Sequence, residues 1–192
     1  MEWTIPLQNL DITKIKVGKP SQGSKLISPL SYADDNIVFN ALTILLPLLP
    51  IKSYDAATGR LQILLQGPNV LQKLQQIQEM LINIVYTNQS MWFPNDKSSD
   101  KDTIRHGFQP FIEHGILNLF CPCSTVGMPN EIYNYTGKSW ERNSLSPSIF
   151  MTGKNIRLTI KFQGISFHQH ALSKSWTGKF RLQHRIIAII TN

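Results

Sequence analysis

Two long alternating runs at the end of the chain constrain its fold more than any other feature. From Asn155 to Phe167, the residues Ile156, Leu158, Ile160 and Phe162 share one side of an extended strand while Arg157, Thr159 and Lys161 share the other, because strand side chains alternate with a period of two. From Lys179 to Thr191, Phe180, Leu182, Ile186, Ala188 and Ile190 oppose Lys179, Arg181, Gln183 and Arg185. A segment around Ser173 to Gly178 joins the two runs, so they predict a β-hairpin with one apolar and one basic face. Gly164 breaks the parity, since Ile165 and Phe167 follow on odd positions. A β-bulge there, bending the strand, accounts for the break.

The rest of the chain supplies partners for that hairpin. Thr13, Ile15 and Val17 suit an edge strand, and the run from Asn36 to Leu49 is rich in β-branched and aromatic residues. Ile51 to Tyr54, the turn Asp55 to Gly59, and Arg60 to Leu65 predict a second hairpin. Gly67-Pro68-Asn69 ends it, and Asn69 with Gln72 resembles a capping box. Val70, Leu74, Ile77, Leu81 and Ile84 then recur at helical spacing. They predict one amphipathic helix packed on a sheet, because a lone helix of this length is marginal without burial. Phe108 to Ile112 and Gly115 to Cys121 continue the apolar pattern, between long loops near 88–107 and 124–152. The expected fold is α+β and mostly antiparallel, with residues 1–192 forming a single domain.

Charge is distributed unevenly. The formal net charge is +7, yet all 12 acidic residues lie between Glu2 and Glu141. Arg142, Lys154, Arg157, Lys161, Lys174, Lys179, Arg181 and Arg185 follow without an opposing carboxylate. Such a surplus favours a polyanionic partner through counterion release. Cations interleaved with aromatic rings suit a groove that neutralises phosphates and stacks unpaired bases. The candidate nucleic-acid-binding set is Lys138, Trp140, Lys154, Arg157, Lys161, Phe167, Trp176, Lys179, Arg181 and Arg185. The alternative is an ordinary solvated sheet face.

Other constellations carry less. Tyr32-Ala-Asp-Asp35 spells a paired-aspartate turn of polymerases but lies ahead of the first convincing strand, so it is expected to be a simple turn. Thr136-Gly-Lys-Ser139 lacks the upstream glycine of a phosphate-binding loop, Ile132 standing in its place. Cys121-Pro-Cys123 is too close-set for a zinc knuckle, and His168-Gln-His170 has no acidic residue downstream to complete a metal site. No nucleophile elbow is present. The expectation is a non-catalytic protein without cofactor or metal. Two cysteines, the absence of a signal-like N-terminus and the lack of a long apolar run point to an intracellular protein, in host cytoplasm or nucleus if viral, that is neither secreted nor membrane-bound.

The order of hairpin, helix, long middle, then Gly153-Lys-Asn-Ile-Arg-Leu-Thr-Ile-Lys161 and Gly178-Lys-Phe-Arg-Leu-Gln-His-Arg-Ile-Ile-Ala-Ile189 resembles the single-stranded-DNA-binding proteins of podovirus type and their relatives in large DNA viruses of eukaryotes. The layout covers residues 36–191, and the sequence pattern covers the two terminal strands. The resemblance implies an OB-fold-like barrel with one amphipathic helix packed on it, which binds single strands in replication or recombination. It would set Lys154, Arg157 and Lys161 on the penultimate strand and Lys179 and Arg181 on the last, near the groove. Family members typically end in an acidic tail that recruits partners, whereas this sequence ends at Thr191-Asn192, which puts the expectation of recruitment of that kind in doubt. The partners expected are single-stranded nucleic acid, with homo-oligomers and replication or virion proteins left open. The competing expectation is a virion or assembly protein whose β-barrel presents a basic contact surface.

Overall fold

The structure is a computed structural model described at residues 3–34, 37–122, 133–135, 139–142 and 147–191, without the side chains of 133, 134, 140–142 and 191. The N-terminal part holds β1 (Ile5–Pro6), β2 (Ile15–Val17), β3 (Ser21–Gln22), β4 (Leu26–Asp34), β5 (Ile37–Phe39), β6 (Leu42–Leu45), β7 (Leu49–Asp55) and β8 (Arg60–Leu64). Helices α1 (Pro68–Trp92) and α2 (Lys101–Gly107) follow. Then come β9 (Phe108–Gln109), β10 (Ile112–Glu113), β11 (Ile116–Phe120), β12 (Tyr133–Tyr135), β13 (Trp140–Arg142), β14 (Asn155–Gln169) and β15 (Trp176–Thr191). The fold is α+β with a mostly antiparallel sheet.

β14 and β15 form the spine, paired antiparallel from Ile156 opposite Thr191 to Gln169 opposite Trp176. The other edge of β14 is shared end to end by β7, β6 and β4. The other edge of β15 carries the short parallel strands β9 and β12. Ile156, Leu158, Ile160 and Phe162 are each 1% exposed, so the alternation expected of the first run holds. In the second run it holds only as far as Ile186. Ile160 lies opposite Ile186 but Thr159 lies opposite Ala188, which leaves Ile187 as an extra residue. The parity reverses there, and Ile189 is buried instead of Ala188 and Ile190.

The bulge expected at Gly164 is present, with Gln163 passed over between Phe162 opposite His184 and Gly164 opposite Gln183. A Cβ at Gly164 would collide with the backbone carbonyl of Ser28 on β4. The residue opposite Gly164 on β4 is Pro29. A proline has no N–H for the ladder, and a bulge interrupts the ladder, so the two irregularities share one place.

β4 is the main element that the sequence pattern concealed. Ser28, Leu30 and Tyr32 alternate inward and are 0, 1 and 4% exposed, so residues 32–34 of the paired-aspartate motif continue a strand instead of forming a turn. Lys14 forms an ion pair with Asp34, which ties β4 to the turn before β2.

Helix α1 starts earlier and ends later than its apolar stripe predicts. Gly67 is the N-cap, with φ at 92°, and Pro68 takes the first turn with no side-chain cap, so the expected Asn69–Gln72 box does not form. Proline's fixed φ and missing N–H suit that position. The buried face runs through Leu74, Ile77, Leu81, Ile82, Val85, Gln89 and Trp92, and Val70 and Ile84 are only partly covered. The supposed loop at 88–107 therefore holds the last turn of α1 and all of α2. Gln89 organises the link: its Nε2 donates to Ser99 O at 2.7 Å and its Oε1 accepts from Ser99 N at 2.8 Å. Asp100 caps α2 by accepting from Thr103 N at 2.7 Å. Of the second long loop, 124–152, the described part contains β12, β13 and a 3-10 turn at Pro147–Phe150.

Candidate nucleic-acid interface

The outward positions of the spine collect the cations. Arg157 lies opposite Ile190, Lys161 opposite Arg185, and Ser166 opposite Arg181. Arg157, Lys179 and Arg181 are exposed, and Lys154, Lys161 and Arg185 are half-buried. Lys14 forms an ion pair with Asp34, and Arg105 with Glu79. The register of Lys161 with Arg185 sets two cationic side chains directly across the strand pair. The face also has dry parts, since Thr43, opposite Lys161, and Thr159 are buried.

Of the aromatic residues expected in the groove, Phe167 lies in the core and Trp176 is half-buried. Phe167 is 4% exposed, and its ring packs against Trp92, Phe93, Trp176 and Phe180 at centroid separations of 5.1 to 6.0 Å. Trp176 is half-buried in the same cluster, stacked on Phe93 at 4.6 Å, with its Nε1–H donated to Lys179 O at 3.0 Å. Phe167 is thus a core residue and not a base-stacking one, because Trp92 and Phe93 at the end of α1 and Trp176 and Phe180 on β15 cover its ring. Trp140 opens β13 with its Cα opposite Tyr135, and its side chain lies outside the described residues, as does Lys138 altogether. Tyr135 is half-buried on β12 opposite Ile190, two strands from Arg157 with Ile190 between them.

β15 meets β11 without a backbone ladder among the described residues. His184 Nε2 accepts the backbone N–H of Phe120 at 3.2 Å, and Nδ1 is buried, with no well-aligned hydrogen-bond partner among the described residues. Burial pushes the His184 imidazole below its ordinary value of 6.5, the Leu182 backbone pulls it up, and the charge of Arg181 pushes it down. The neutral ring matches the geometry, because a ring protonated on Nε2 could not accept that N–H.

Beside this seam the outer surface of β8 and β11 carries side chains that the charge count passed over: Arg60, Gln62, Asn118 and Phe120. Their strands alternate, and that signal was available in the chain, but Arg60 lies in the nearly neutral N-terminal part. His168 and His170 are exposed, Cys121 is a buried thiol, and among the described residues no three metal-ligating side chains converge. Compared with protein-family models, curated proteins and solved structures, the chain matches none.

Proposed function

We propose that this protein binds single-stranded DNA with little regard to sequence, without catalysis, through the outward face of β14 and β15, in replication or recombination. The observation that carries the reading is the register that sets Lys161 opposite Arg185, with Arg157 and Arg181 on the same two strands, in a stretch with no carboxylate after Glu141. A phosphate backbone is the polyanion that such a stripe fits. An OB-like barrel accompanies this reading. From β14 the sheet passes through β7 and β8 to β11, and the Phe120–His184 hydrogen bond brings β11 back to β15, so five strands would enclose the core.

A second reading, a virion or assembly protein that uses the basic face against acidic neighbours, has its own support. Trp3, Ile37 and Val38 are 75, 56 and 63% exposed, and among the described residues β5 pairs with β4 alone, which makes it an outer edge of the sheet. Exposed apolar edges suit protein contacts.

Fluorescence-anisotropy titration with labelled oligonucleotides tests the first reading. Tight binding of single strands at low salt, weakening steeply with added salt, is expected. No binding at low salt rejects it, and equal affinity for duplex recasts the protein as a general polyanion binder. Arg181→Glu should weaken binding while leaving the unfolding transition in place, because Arg181 is exposed.

A further inference from the structure

Burial of Phe167 leaves the cationic face in need of an aromatic surface, and β11 presents one. Phe120 is 53% exposed although its strand neighbours Leu117 and Leu119 are 1 and 4% exposed. Its partner across the ladder is Arg60, also exposed. Arg60 Nη2 donates to Asn118 Oδ1 at 3.3 Å, the same oxygen takes Gln62 Nε2 at 2.9 Å, and Gln62 Oε1 accepts the Ser53 hydroxyl at 2.8 Å. This chain of bonds holds the guanidinium over the sheet and uses one of its five donors.

The nearest carboxylate by register is Asp55, which lies opposite Arg60. It accepts from Ala57 N at 3.0 Å and from the Thr58 hydroxyl at 2.6 Å, so its oxygens are turned into the hairpin turn. The Phe120 ring leans on that turn as well. A Cβ at Gly59, whose φ is 68°, would lie 3.3 Å from the ring's Cε2, so the glycine lets the backbone support the ring. Across the seam, Phe120 N–H bonds to His184, and Gln183 and Arg185 flank that histidine on β15.

We infer that Phe120 is a stacking platform for an unpaired nucleobase and that Arg60 takes the adjoining phosphate, extending the binding surface from β15 across the seam to β11 and β8. The inference rests on the single-strand reading above. An aromatic face with a positioned guanidinium beside it matches what sequence-tolerant single-strand binding requires, since every base has a π-face and every nucleotide a phosphate.

The test compares the intact protein with Phe120→Ala, Phe120→Trp and Arg60→Ala, each checked for an unchanged thermal unfolding curve. Each is titrated with a single-stranded oligonucleotide and with an abasic strand of the same length. Phe120→Ala should lose roughly 5- to 150-fold in affinity for the base-bearing strand and none for the abasic strand. Phe120→Trp should bind as the parent does, and Arg60→Ala should weaken both strands. An unchanged affinity of Phe120→Ala, or an equal loss on the abasic strand, overturns the platform while the parent's binding leaves the single-strand reading standing. A parent that binds neither strand removes that reading and the platform with it.

Discussion

The imidazole Nε2 of His184 accepts the backbone N–H of Phe120 at 3.2 Å, so a titratable side chain occupies a place where a strand–strand ladder would otherwise run. Burial holds that ring below its ordinary value of 6.5, which means that the unfolded chain takes up a proton at a higher pH than the folded one does. Stability from this group is complete above about 6.5 and is lost as pH falls through the lower folded value, at no more than about 1.4 kcal/mol per pH unit. Urea midpoints measured from pH 8 down to 5 should fall, and His184→Gln should flatten the curve. The carboxylates of Asp11, Asp55, Glu79 and Asp100 are all held below their ordinary values of 3.8 to 4.5, so their losses come at more acid pH. A parent curve level from 8 to 5 would contradict the role of His184.

Arg181 contributes to the depression of His184 through its charge. Arg181→Gln should therefore bring the His184 ring closer to its ordinary value and make the acid-induced loss of stability smaller than in the parent. Nuclear magnetic resonance titration of the His184 ring reads the shift directly, and an unmoved titration would show that burial acts alone.

Gly164 and Gly107 permit backbone approaches that no other residue allows. A Cβ at Gly164 would strike the Ser28 carbonyl, and one at Gly107 the Gly178 carbonyl. Alanine at either position should cost about 2 kcal/mol or more, since backbone must move to admit it. Gly23→Ala, whose Cβ would meet nothing closer than 3.9 Å, should be nearly neutral. Thermal unfolding separates the three, and equal melting temperatures would refute the assignment.

Gln89 is buried at 6% and bonds both backbone groups of Ser99. Gln89→Ala removes these two hydrogen bonds and a third, from Nε2 to Tyr86 O at 3.1 Å, and leaves both backbone groups of Ser99 short of partners, at a cost of about 1 to 3 kcal/mol. Limited proteolysis should then cut first between Phe93 and Asp100, and an unchanged digestion pattern would show that the link is held elsewhere.

If the outward cations meet phosphates, Arg157→Ala and Arg181→Ala should each lower the slope of log affinity against log salt by about 0.7, the single-strand value per phosphate. Anisotropy titrations at several salt concentrations give that slope, and a slope unaltered in both variants would move the binding surface away from β14 and β15.

Local periodicity was enough to determine several elements. The alternation in β14, the bulge at Gly164, the hairpin of β7 and β8, and the central turns of α1 were all legible, because each depends on residues near one another in the chain. The placement of cations on outward strand positions was legible for the same reason. What tertiary structure alone decided depends on partners distant in sequence. Pro29 argues against a strand until Gly164 stands opposite it, and Gln89 looks like an exposed helix residue until Ser99 folds back onto it. Phe167 fits a stacking role until Trp92, Phe93 and Trp176 close over it, and Phe120 is inconspicuous until Arg60 is set beside it. Alternation tells which side of a strand a residue occupies; only the packing of other segments determines whether that side is buried, and by what.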